Sequence, residues 1–235
     1  MTKPLDETLE VVGFRGAQTA DQIEARFIDF ARDIMGSHDL VHGERRWKVT
    51  AIELYLCSRQ SFNGWRDPYT HANPEQLKAG TWYVHDEGTR APTYSGIDIT
   101  CGSDDDGIHG GILVRELSGE HRWVFQRIIR GDRESFPRKG NVWSDDEKKI
   151  VRSIHGTNIH LGPLRLVRRQ EQTTPLYIGP RIGLRPKPNS GAEDVKTKAF
   201  RLAALRIATS RTAVGKMSMT EIDLGVRKMR PTATS

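Results

Sequence analysis

The sequence predicts a mixed α+β fold, one domain with a mostly antiparallel sheet and helices at its periphery. Three observations predict it. Short runs rich in β-branched and aromatic residues recur between Trp47 and Leu117, separated by Gly- and Asp-rich turns. Helical periodicity is confined to a few segments, most of them opened by a capping signal. At 235 residues, with 36% hydrophobic side chains, the chain can bury one substantial core and has no need of two.

Taken in order, the first element is a helix over residues 19–35. Thr19 and Gln22 form a capping box, Ile23, Phe27, Phe30 and Ile34 make one apolar face, and Gly36 is the stop. Residues 47–57, WKVTAIELYLC, read as a buried strand. Strict alternation puts Trp47, Val49, Ala51, Glu53, Tyr55 and Cys57 on one face and Lys48, Thr50, Ile52, Leu54 and Leu56 on the other. The polar stretch SRQSFNGWRDPYTHANPEQLKAG is long for a connection in a compact domain, which favours a functional loop. Strands are expected at 81–85, 93–101 and 111–117, and another at 121–129. Ser144 and Glu147 cap a helix through Ile154, and Gly162-Pro163 opens a second short helix with Pro in its first turn. Residues 175–179 and 200–209 read as late strands, and 185–198 as a mobile loop. Residues 1–229 are expected to form the single domain, with 230–235 a disordered tail.

Composition narrows the class of function. The 36 basic against 30 acidic side chains give a net charge of +6, a surplus that suits a polyanionic partner and equally a mildly basic solvated surface. The cysteines are Cys57 and Cys101, so the chain carries neither a disulfide framework nor a CxxC metal motif. Its start, MTKPLDETLEVVG, lacks the basic and apolar regions of a signal peptide, and no run approaches a membrane span. The expectation is a protein of the cytoplasm, nucleoid or nucleus with no membrane partner.

Two charged residues stand where the pattern calls for apolar ones. Glu53 lies in the strand 47–57, apolar on both faces, where an isolated ionised carboxylate is costly unless paired. Arg115, in GGILVREL, shares a face with Leu113 and Leu117. A Glu53–Arg115 pair satisfies both, and fits an architectural ion pair as well as a carboxylate held to orient water. Tyr55, His71, Tyr83, His85 and Tyr94 lie between them in sequence, and aromatics around a carboxylate suit a pocket that stacks a planar heterocycle. His71, His85 and His109 lack the close ligand spacing of a zinc site, so no metal is expected.

The blocks IELYL, DPYTHAN, GTWYVH, YSGIDIT and GGILVREL, followed by LGPLRLVR, PRIGLRP and KAFRLAALRIATS, resemble in that order the active-site blocks of the alkyladenine (3-methyladenine) DNA glycosylases. The similarity runs from near Trp47 to Thr209. It implies a divergent member with a curved sheet, acting as a monomer on DNA without a cofactor. The activity implied is repair-type removal of an alkylated or otherwise modified base by water. On this resemblance Glu53 is the general base, Arg115 helps hold the nucleophilic water, and a carbonyl near Ile182 is the water's other partner. Tyr55 stacks on the flipped base and His71 hydrogen-bonds in the pocket wall.

Three positions depart from the family's pattern. His85 stands where it has a second pocket tyrosine, and Asp98 where it has the Asn that screens purine exocyclic groups. Its intercalating Tyr falls near Glu87 or Gly88, with Arg90 and Tyr94 the candidates to replace it. Base contacts are thus expected from Tyr55, His71, His85 and Asp98, and DNA contacts from Lys78, Arg90, Tyr94, Arg165, Arg168 and Arg181. The matched strands carry no lysine suited to a Schiff base, which favours a monofunctional hydrolase. A non-catalytic reader of modified nucleic acid on the same fold is the alternative.

Overall fold

The computed structural model describes residues 19–58, 67, 70–85, 96–118, 124–131, 143–179, 205–210 and 220–222. Within them the chain is α+β, with two open antiparallel sheets and helices packed against them. Helix α1 (Ala20–Ser37) opens as its sequence dictates: Gln22 N–H donates to the Thr19 hydroxyl at 3.3 Å, and the Gln22 side chain accepts the Thr19 N–H at 3.2 Å. Ile23, Phe27, Phe30 and Ile34 are wholly buried on one face. Gly36 does not end the helix. It stays helical, and its carbonyl accepts the Gln172 N–H at 2.9 Å; the chain leaves only after Ser37.

A three-stranded sheet follows, in the order β2–β1–β7: β1 (His38–His42), β2 (Arg45–Trp47) and β7 (Leu164–Arg168). Neither β1 nor β2 is among the strands expected from the sequence, and residues after Pro163 are expected as a helix. Leu164 and Leu166 are instead buried with the exposed Arg165 between them, a two-residue period that β1 completes by pairing Leu40 with Leu166, and Arg168 is exposed at the end of the strand.

The larger sheet has seven strands: β3 (Val49–Ser58), β4 (Ala79–Val84), β5 (Ile97–Cys101), β6 (Ile108–Leu117), β8 (Leu176–Gly179), β9 (Arg206–Ala208) and β10 (Thr220–Ile222). Their order is β10–β8–β9–β3–β6–β5–β4. One face, with Ile52, Leu54, Leu56, Trp82, Val84, Ile97, Ile99, Ile112 and Val114, packs into the core with α1. The small sheet closes this side, since the Trp82 indole donates to the Leu164 carbonyl at 2.8 Å.

Strict alternation fails at the start of β3. Val49 pairs with Leu117, Ala51 with Glu116 and Ile52 with Val114. Thr50 is therefore an extra residue on β3 and Arg115 an extra residue on β6. The phase slips there, so Trp47 and Val49 enter the core beside Ile52 and do not share the face of Glu53.

Residues 124–130 also depart from expectation. They form helix α2 (Val124–Arg130), whose Val124, Phe125, Ile128 and Ile129 bury a helical stripe, where β-branched content had suggested a strand. Helix α3 (Asp145–Ile154) carries the expected capping box between Ser144 and Glu147. Glu147 also takes two hydrogen bonds from Arg130, at 2.6 and 3.0 Å, which ties α3 to the end of α2. The loops 185–198 and the tail 230–235 lie outside the described residues.

Candidate active site

Beyond the slip, the second face of β3 presents Glu53, Tyr55 and Cys57 away from the main core. Residues directly opposite on neighbouring strands share a face. Arg206 pairs with Glu53, Glu53 with Leu113, Leu113 with Asp98 and Asp98 with Tyr83. A single row thus crosses five strands and gathers residues spread over more than 120 positions. Glu53 and Asp98 are two strand spacings apart in it, roughly 10 Å.

Glu53 is wholly buried. Its Oε2 accepts the Tyr55 hydroxyl at 3.2 Å, and its Oε1 lies 3.6 Å from Arg115 Nε and 4.0 Å from Arg206 Nη1. Arg115 is reachable because it is the bulged residue of β6: its side chain is 39% exposed while its guanidinium still meets the carboxylate. Arg206 is 3% exposed and donates from Nη2 to Glu116 Oε2 at 3.2 Å. Burial lowers its pKa, the carboxylates of Glu53 and Glu116 oppose that shift, and Arg115 adds to it. Two carboxylates and two guanidiniums therefore balance in charge, which is how a fully buried Glu is tolerated here. Glu53 and Arg115 stand out in the sequence, whereas Arg206 and Glu116 are recognised as their partners only in the fold. The signal for Arg206 was the same one, a charge within the apolar run LAALRIA.

The other half of the row is an imidazole–carboxylate pair. His85 Nε2 lies 2.8 Å from Asp98 Oδ1, with the His85 side chain 17% exposed and that of Asp98 1%. Two glycines make room for the pair. A Cβ on Gly111 would stand 2.5 Å from Asp98 Oδ2, and one on Gly96 would stand 3.3 Å from His85 Cδ2. Gln76 frames the Gly111 gap: its Oε1 accepts the Asn73 N–H at 3.2 Å, and a Gly111 Cβ would be 3.1 Å from its Nε2. The His85 ring meets His71 edge-on, with centroids 4.8 Å apart, and Tyr83 at 5.3 Å. Since Asp98 is buried behind it, His85 is the member of the pair open to a ligand.

The structure thus brings Glu53, Arg115, Tyr55, His71, His85 and Asp98 to one side of the sheet. Lys78 is exposed beside the short 3-10 helix Pro74–Leu77 and pairs with Glu75 at 2.9 Å. Arg165 and Arg168 sit on β7, in the sheet that closes the core from the other side, so they are not gathered around Glu53. Arg90, Tyr94 and Arg181, and the carbonyl near Ile182, lie outside the described residues. Cys57 and Cys101 are not joined in a disulfide, and burial, then Asp98, pushes the Cys101 thiol well above its ordinary range. Among the described residues no three His, Cys, Asp or Glu side chains converge as a metal ion requires, and His109 is drawn to the far end of β3 opposite Cys57. Also among them, no helix is long and apolar enough to cross a membrane.

No protein-family model matches the chain. A protein of Acanthamoeba polyphaga mimivirus, described as uncharacterized protein L759, is 25% identical to it over 191 residues, covering 72% of this chain and 82% of the viral protein.

Proposed function

We propose that this protein is a DNA-base N-glycosylase, which hydrolyses the bond between a flipped modified base and its sugar. The observation that carries the reading is Glu53, a wholly buried carboxylate held between the Tyr55 hydroxyl and the Arg115 guanidinium on the polar face of the sheet. In the proposed reaction Glu53 accepts a proton from water as the water oxygen attacks the anomeric carbon, and Arg115 orients that water. The C1′–N bond breaks with its electron pair passing to the base. Tyr55 supplies the ring against which an extruded base can stack, and His71 a hydrogen-bonding group for the pocket wall. The ordered similarity of its motif blocks to the alkyladenine glycosylases supports the same reading.

Glu53 also belongs to a closed set of charges through Arg206 and Glu116, and such a set suits a pocket kept for binding alone. This favours, as second reading, a non-catalytic reader of modified nucleic acid. Incubating the purified chain with oligonucleotides carrying alkylated, deaminated or hypermodified bases separates the two. Strand cleavage on alkali treatment reports an abasic product and supports the enzyme. Retention of such an oligonucleotide with no abasic product supports the reader.

A further inference from the structure

We infer that the cleft at the end of the small sheet, where β1 turns into β2, is a second binding site, which takes a phosphate ester of mononucleotide size. It lies apart from the row that holds Glu53 and does not depend on the glycosylase reading. The phosphate is carried either by a free nucleotide or by a unit of a nucleic-acid strand, and the chemistry that recognises it is the same for both.

The cleft forms where β1 ends. His42 pairs with Arg45 across a two-residue turn and with Leu164 at the start of β7. Gly43 holds that turn at a φ of +58°, a left-handed conformation that glycine enters without strain. The space is about 500 Å³, lined by His42, Gly43, Glu44, Arg45, Pro163 and Arg165. Small-molecule sites run from roughly 300 to 1,000 Å³, so there is room for a phosphate together with an organic group. Pro163 and the His42 ring supply apolar surface for that group.

Charge decides the class of ligand. Arg45 and Arg165 are both exposed, and neither forms an ion pair among the described residues. The neighbouring carboxylate of Asp39 is already engaged, by Arg46 at 3.2 Å and Arg169 at 3.0 Å. Arg45 is held in place. Its Nη1 donates to the carbonyls of Arg127 and Ile128, each at 3.4 Å, and a Cβ on Gly131 would stand 2.8 Å from that nitrogen. Gly131 thus leaves the room that the guanidinium occupies. Those bonds do not use Nε or Nη2, and a guanidinium edge with two donors matches two phosphate oxygens. Arg165 comes from the opposite face of the sheet, beside Val41, and lines the same cleft. Glu44 is the acidic group on the lining, so two guanidiniums stand against one carboxylate. Burial, then Arg45, lowers the pKa of His42. An anion seated beside Arg45 offsets that guanidinium and favours the imidazolium, which adds a further donor.

The test follows the Gly43 backbone amide by NMR in the isotope-labelled full chain at constant ionic strength. Three probes are added in turn: deoxyadenosine 5′-monophosphate, deoxyadenosine without the phosphate, and an unmodified single-stranded oligonucleotide. The monophosphate, the oligonucleotide or both should shift Gly43 saturably, and deoxyadenosine should not. A shift by the monophosphate makes a free nucleotide a source, and a shift by the oligonucleotide alone makes the source a strand. Arg165→Gln, at an exposed position outside any ion pair among the described residues, should weaken that binding by about tenfold or more. Glu53→Gln should leave it unchanged, which separates this cleft from the face of Glu53. No shift of Gly43 with either phosphate probe, an equal shift with deoxyadenosine, or unaltered binding in Arg165→Gln overturns the site.

Discussion

A charge inside an apolar strand is the sequence signal that mattered most at the scale of single residues. It found Glu53 and Arg115, because desolvation makes such a residue rare without a reason. Arg206 carried the same signal and was passed over, since no partner for it could be named until β9 was known to lie beside β3. His85 and Asp98 were legible as departures from a family pattern, yet their pairing was not. Thirteen positions separate them, and only the register of β4 on β5, Tyr83 opposite Asp98, brings them together. The buried charges also predict a cost. Arg206→Leu leaves Glu53 and Glu116 with one guanidinium between them, and losing one partner of a buried ion set typically costs about 3–5 kcal/mol. Urea unfolding should show a loss of that order with an unchanged m-value, and a loss under about 1 kcal/mol would mean that Arg206 does not neutralise the pair.

Elements with a strong local signature came through intact. The capping boxes of Thr19 with Gln22 and of Ser144 with Glu147 both form, and the stripe of Ile23, Phe27, Phe30 and Ile34 is the buried face of α1. The failures lie where tertiary pairing outweighs local preference. Residues 164–168 become a strand because β1 offers an edge, and 124–130 become a helix although rich in β-branched residues. The extra residues Thr50 and Arg115 slip the phase of β3, which no alternation count can foresee. Strand β1 makes a pH prediction of its own. Burial lowers the pKa of both His38 and His42 below the ordinary 6.5, with Arg45 adding to the effect at His42. The unfolded chain then binds more protons than the folded one as pH falls below 6.5, so stability present above that value is lost through the lowered folded pKa. Thermal melting from pH 7.5 to 5 should show a falling midpoint, and His42→Gln should flatten the slope. An unchanged slope in that variant would remove His42 from the account.

At the scale of the whole molecule the sheet is a partition. One face builds the core with α1 and the small sheet, and the other carries the polar row from Arg206 to Tyr83. The mixed fold was legible from strand spacing and caps, and the gathering of Glu53, Tyr55, His71, His85, Asp98 and Arg115 on one side was legible from their motifs. The placement of the cations was not: Arg165 and Arg168 belong to β7, away from that side, because charge count carries no geometry. On the proposed function, the net charge of +6 nevertheless predicts an electrostatic attraction to DNA. If about four phosphates are neutralised, the slope of log affinity against log salt should be on the order of −3 to −4, whereas a slope near zero would point to a small-molecule ligand. The central claim, that this face is a glycosylase site with Glu53 as its base, is tested most directly by comparing the purified wild-type chain with Glu53→Gln. The two are assayed on whichever modified oligonucleotide the wild type converts to an alkali-labile product. The amide is nearly isosteric with the carboxylate but cannot accept the proton, so base release should fall by about 10²–10⁴-fold while DNA binding stays within a few-fold; full base release by Glu53→Gln would contradict the account.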